Sequence, residues 1–139
     1  MYEFKIVAFS DEMSQIKKVR HTVFTQEQGV DGAIDFDGQD KLAIHILALK
    51  AEQVVGTGRM LEDGHIGRIA ILKSARGEGL GAKVVQGLVD EAQKLDFTKV
   101  YLGSQLHAVD FYRKLGFSPY GEEYIEADIR HVSMQKRLP

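Results

Sequence analysis

The sequence predicts an α/β domain on a mixed sheet, with elements in the order β-α-β-β-β-α-β-α-β. Three observations carry that expectation. Three β-like apolar runs, residues 42–49, 54–61 and 66–72, follow one another across turns too short for anything but antiparallel neighbours. Two stretches of helical periodicity, residues 80–95 and 108–115, flank the run Lys99 to Leu102. Between the third apolar run and the first of these helices stands Arg76-Gly77-Glu78-Gly79-Leu80-Gly81-Ala82, which reads as strand, glycine-rich turn, helix.

Length and composition narrow the class. The 139 residues suit one domain, 1–139, able to bury about two thirds of its unfolded surface. There is no cysteine, hence no disulfide framework and no thiol nucleophile, and none of the five histidines has a metal-ligand spacing, so no metal is expected. Eighteen basic residues against twenty acidic ones give a net charge of −2, with no basic run to suggest nucleic acid. The N-terminal residues lack a cationic, apolar leader pattern, and no apolar run approaches membrane-spanning length. A cytoplasmic protein without membrane contact is the expectation.

In chain order, Tyr2, Phe4 and Ile6 alternate with Glu3, Lys5 and Val7, the period of a half-buried first strand. Ser10 is placed to cap a helix whose first turn holds Asp11 and Glu12 and whose stripe is Met13, Ile16, Val19, Val23 and Phe24, ending at Gly29. On its other side Arg20, Thr25, Glu27 and Gln28 either line a cleft or face water. Residues 30–40 read as an acidic loop with only Val30, Ala33, Ile34 and Phe36 to bury. An EF-hand frame fails there, because it puts Ala33 at the first ligand position and Ile44 where a bidentate Glu belongs. Asp35 and Asp37 are then either solvated or an attraction for a cationic substrate. Gly56, Gly58 and Gly67 within the apolar runs mark bulges or close backbone approach. The helix from Leu80 presents Val84, Val85, Leu88, Val89, Ala92 and Leu95 to a core, and so long a crossover makes the strand at Lys99 a parallel neighbour of the strand at Ile66. Gly116 closes the shorter helix, and residues 117–120, 123–125 and 131–136 supply the last strands, with Gly121 in a turn.

Three alternate glycines at a helix start leave a row of peptide N–H groups open to an anion, which the helix dipole favours. Arg76 adds a possible charge-assisted contact, while Glu78 should turn to solvent. A P-loop is excluded because no Gly-Lys-Ser/Thr follows, and the dinucleotide fingerprint lacks its acidic residue at the end of the next strand.

With the turn, a second motif completes a family likeness. Arg76-Gly77-Glu78-Gly79-Leu80-Gly81 resembles the acyl-CoA motif of the GNAT N-acetyltransferases, and Ala108 to Phe117 resembles their later A-x-x-x-Y-x-x-x-G-F signature. Residues 126–134, with Glu27-Gln28-Gly29, are similar to an ElaA-like and YjcF-like bacterial branch. The resemblance implies acetyl-CoA as cosubstrate, its pyrophosphate on the amides from Arg76 or Gly77 through Gly79, Leu80, Gly81 and Ala82, and pantetheine beside Ile69, Ala70 and Ile71 where two parallel strands splay. It also implies a cofactor contact at Gln105 and a general acid at Tyr112. His65 lies near the family's glutamate base; Glu27, Asp35, Asp37, Glu126 and His131 are its rivals. The implied activity is direct acetyl transfer to a primary amine of a small molecule or protein, with the oligomeric state left open and a homodimer among the expectations. The alternative is a non-catalytic acyl-CoA-binding sensor or interaction module.

Overall fold

The computed structural model describes the backbone of all 139 residues and every side chain except those of Ala33 and Ile34, so the expected burial of those two lies outside the described residues. The strands form two sheets. In the first, β1 (Tyr2–Ala8), β2 (Ile44–Lys50), β3 (Gln53–Met60) and β4 (Ile66–Ile71) are antiparallel neighbours in that order, as the short turns require of β2 to β4. In the second, β7 (Ile129–Arg137) lies antiparallel between β5 (Lys99–Gln105) and β6 (Ser118–Glu126).

The two sheets meet where β4 and β5 run parallel, and only at their beginnings. His65 bridges Tyr101, and the Tyr101 N–H donates to the Gly64 carbonyl at 3.0 Å. Beyond that point β4 and β5 separate like the arms of a V. The mixed sheet is therefore splayed at its middle.

Strand alternation gives the first sheet two apolar faces. Ile46 and Ala48 pack with Val84, Val85, Leu88, Val89 and Ala92 of α3 (Leu80–Lys94), which is the main core. Leu47 points the other way, to Phe9 and Ile16 of α1 (Phe9–Arg20), and farther along that face Ala70 meets Val19 and Val23. Gly56 and Gly58 sit where Ile71, Val84 and Leu88 crowd β3, which is the close approach their positions suggest.

Several boundaries differ from expectation. The first helix begins at Phe9 after Ala8, with no side-chain cap, so Ser10 lies inside it. It continues past Arg20 as a π-helix, His21–Glu27, and the chain turns at Gly29 with a left-handed φ of 71°. The acidic loop holds α2 (Gly32–Asp35) and a 3₁₀ turn, Asp40–Leu42. β5 runs through Gly103 and Ser104 to Gln105, because β7 pairs with it over that whole length. The short helix is α4 (Val109–Lys114). Gly121 does not separate two strands: β6 is continuous, and its register shift lies between Tyr120 and Tyr124.

Candidate active site

The V between β4 and β5 opens into a cleft of about 550 Å³. Ile66 to Ile69 form one wall, Leu102, Gly103 and Gln105 the other, and Tyr112, Glu126 and His131 close it. Phe24 and Gln28 reach it from the end of the π-helix. A smaller hollow of about 300 Å³ between Gln39, Leu42 and Glu62 contains none of the candidate residues.

β4 offers backbone to the open side of the V. The Leu72 N–H donates to Val55 in β3 at 2.8 Å, so alternation turns the N–H and C=O of Ile71 away from β3. The Arg76 guanidinium confirms the direction, for its Nε donates to the Ile71 carbonyl at 2.9 Å. Ala70 is buried among Val19 and Val23, and the same alternation turns its peptide groups toward Thr57 of β3, so the expected contact at Ala70 is not open on this edge.

At the C-terminal end of β4 the glycine turn has the form an anion cradle needs. Gly77 and Gly79 take φ of 83° and 77°, the left-handed region that favours glycine, and a Cβ at either would meet nothing within 4 Å. That open space lies over the start of α3, whose first-turn N–H groups have no helical partner and whose first turn holds no acidic residue. The Leu80 side chain is buried in the core and Gly81 is open but for Phe111, so the site here is made of peptide N–H groups. Arg76 does not face the turn; besides Ile71 it pairs with Glu27 at 2.9 Å. Glu78 is exposed and accepts the Tyr2 hydroxyl.

Tyr112 enters the cleft from α4, held edge-on by Phe111 and Phe117 with ring centroids 5.0 and 6.0 Å away. Its hydroxyl has no hydrogen-bond partner among the described residues, and burial raises its pKa, so the phenol keeps its proton at neutral pH. Gln105 also lines the cleft, directly across from His131 on β7. His65 does not line it. It stands where β4 and β5 still touch, stacked on Tyr101 at 4.7 Å, and burial lowers its pKa despite the pull of Asp63. Tyr101 donates to Asp63 there, and burial with that carboxylate pushes the phenol up to about 12.

The acidic loop is not an open cation trap. Asp35, only 2 % exposed, bonds Arg20 and Arg68, and Asp37 bonds Arg59 at 2.8 Å and Arg68 at 3.3 Å. Asp40 lies between Arg20 at 2.7 Å and Arg59 at 3.1 Å. Three arginines thus balance three aspartates, which removes the free negative charge that would recruit a cation. Arg20, one of the residues left between cleft and water, faces neither and is 1 % exposed. One signal pointed to it: Arg20 falls four residues after Ile16 on the buried side of the helix. Nothing local marked Arg59 or Arg68 as its companions.

Comparison with known proteins gives the family. The model of the acetyltransferase (GNAT) domain matches residues 10–138. The Bacillus subtilis protein YyaT is 37% identical over 140 residues, covering 96% of this chain and 95% of its own. This chain belongs to the GNAT family. The GNAT domain is also 34% identical to the uncharacterized N-acetyltransferase YjcF of Bacillus subtilis, over 85% of this chain and 87% of that one. The crystal structure of Escherichia coli ElaA superimposes with a TM-score of 0.88 at 29% identity, covering 99% of this chain and 100% of the other. The GNAT family supports acyl-CoA-dependent N-acyl transfer as the activity class. Among the described residues, no helix is long and apolar enough to cross a membrane.

Proposed function

We propose that this GNAT domain transfers an acetyl group from acetyl-CoA directly to a primary amine of a small molecule or a protein. The observation that carries the reading is the course of β4. It borders the cleft at Ile66 to Ile69, bares the Ile71 N–H on its open edge, and leads through Arg76 into the cradle of Gly77, Gly79 and Gly81. In this reading the amides from Gly77 to Ala82 hold the pyrophosphate, and the outward peptide groups of Ile69 and Ile71 bond the pantetheine as an added strand would. The Ile71 N–H polarises the thioester carbonyl. Gln105 orients the acyl end from the opposite wall. Tyr112, protonated and without a hydrogen-bond partner among the described residues, supplies the proton to the departing sulfur. With no cysteine in the chain, the amine attacks the thioester itself. His65 stacks at the join of the sheets and takes no step here.

Two variants separate the parts. A branched side chain in Gly79→Val fills the open space and opposes the left-handed φ, so calorimetric titration with acetyl-CoA should show a large loss of affinity; unchanged affinity would remove the pyrophosphate from this turn. Tyr112→Phe keeps the ring and deletes only the hydroxyl. With acetyl-CoA and an amine panel, its kcat should fall by about 10²-fold, the lower end of general-acid effects, at unchanged acetyl-CoA affinity. Full kcat in that variant makes Tyr112 a packing residue. Binding without transfer to any amine selects the non-catalytic acyl-CoA sensor.

A further inference from the structure

The ring of His131 is set in one hydrogen-bonding state by the backbone. It is 8 % exposed, lines the cleft from β7 and stacks at 5.6 Å on Tyr124, its cross-strand neighbour in β6. Its Nδ1 lies 2.8 Å from the Ile129 carbonyl oxygen, which can only accept. Nδ1 therefore carries the hydrogen, and the neutral ring presents its lone pair at Nε2. On that side stands the Glu126 carboxylate at 3.9 Å, too far for a direct hydrogen bond. Tyr112, the proton donor proposed above, borders the same cleft beyond Gln105.

We infer that His131 Nε2 is the base that takes the proton from the acceptor amine, with the Glu126 carboxylate beside it at the mouth of the cleft. The inference rests on the acyl-transfer reading of the cleft. An acceptor arriving as an ammonium ion gives one proton to Nε2, which passes it to solvent. The freed amine forms the nitrogen–carbon bond and the carbon–sulfur bond breaks. The second proton lost by nitrogen balances the one that Tyr112 gives to sulfur, so the products are an amide, free CoA thiol and one proton. The ionisable groups around the ring are Glu126 and Tyr124 from β6, His107 and Tyr112 beyond β5, and Arg68 and Asp35 on the β4 side. This arrangement selects acceptors that are protonated in solution, such as alkyl ammonium groups.

His131→Asn keeps a donor near the place of Nδ1 and removes the basic nitrogen. With acetyl-CoA and lysine, spermidine and a lysine-bearing peptide as probe amines, its kcat should fall by about 10²- to 10⁴-fold with the best of them. The acid limb of the wild-type pH profile should vanish, and acetyl-CoA affinity should stay the same. Hydroxylamine, already neutral at pH 7, should lose far less. Equal losses with both kinds of nucleophile, or wild-type kcat and pH profile, would overturn the role of His131 while the acyl-transfer reading stands. A wild-type chain that acetylates none of these nucleophiles overturns both. Nitrogen-15 spectra of the resting protein give a readout independent of turnover: the Nδ1–H tautomer is expected, and the Nε2–H tautomer would overturn the assignment.

Discussion

The two ends of β4 are held by different means. At its C-terminal end the chain enters a turn that leaves peptide N–H groups open, through glycines within seven residues of sequence. In its first half, Arg68 takes a left-handed φ of 52°, a conformation that costs a non-glycine residue about 1–3 kcal/mol, and donates to the Asp35 carbonyl and to Asp37. Those partners belong to an ion cluster gathered from α1, the acidic loop and two strands. The lesson is that one strand joins a backbone turn, which tolerates side-chain change outside its glycines, to a side-chain cluster in which each member compensates another's charge. The first should govern ligand affinity and the second stability.

The largest expected effect falls on the cluster. Arg20→Leu leaves Asp35 and Asp40 short of a buried counter-charge and should cost about 3–5 kcal/mol, read as a lower urea midpoint. Folded Arg20→Leu should bind acetyl-CoA as the wild type does. Lost affinity with undiminished stability would reverse the assignment of the two ends.

Acid should weaken the cluster next. The Arg59 guanidinium bonded to Asp37 holds that carboxyl well below the usual range; for Asp40, burial works the other way but Arg20 and Arg59 outweigh it. Depressed carboxyl pKa values stabilise the fold above the unfolded range near 4, and that contribution is lost as pH falls below it. His45, uncharged by burial, has the same sign at higher pH: the unfolded chain takes up its proton first, from about 6.5 downward. Urea midpoints should therefore decline from about pH 6.5 and more steeply below about 4, and Asp37→Asn should flatten the lower segment. An unchanged slope in that variant would remove Asp37 from the balance.

The smallest effect is expected at Arg76, whose ion pair with Glu27 is largely exposed. Arg76→Ala should change stability by less than about 1 kcal/mol and lower acetyl-CoA affinity less than Gly79→Val does, since the peptide N–H groups remain. A larger loss than in Gly79→Val would show that the guanidinium leaves Ile71 for the phosphates, making this end of β4 a side-chain site as well.

The local pattern by itself determined the order of elements, the antiparallel run of β2 to β4 and the glycine turn, because each depends on residues within one turn or one helix of each other; the place of Tyr112 came from the family resemblance. Its blind spots have a common cause. Ser10 looked like a cap because capping residues carry a local signal, yet Phe9 was drawn into the helix by its packing on Ile16 and Leu47. Gly121 looked like a turn, and pairing with β7 on both sides of it keeps the strand continuous across an irregularity. Arg20 and Asp35 are fifteen residues apart, and Arg68 and Asp35 thirty-three. No spacing rule links such positions, since their attraction matters only after folding has removed the water between them. Tertiary structure alone likewise decided that His65 would stack where the strands still touch and that His131 would stand in the cleft with Nδ1 tied to the backbone. The site a histidine faces depends on where two strands part, and that is set by how the sheets pack on their helices.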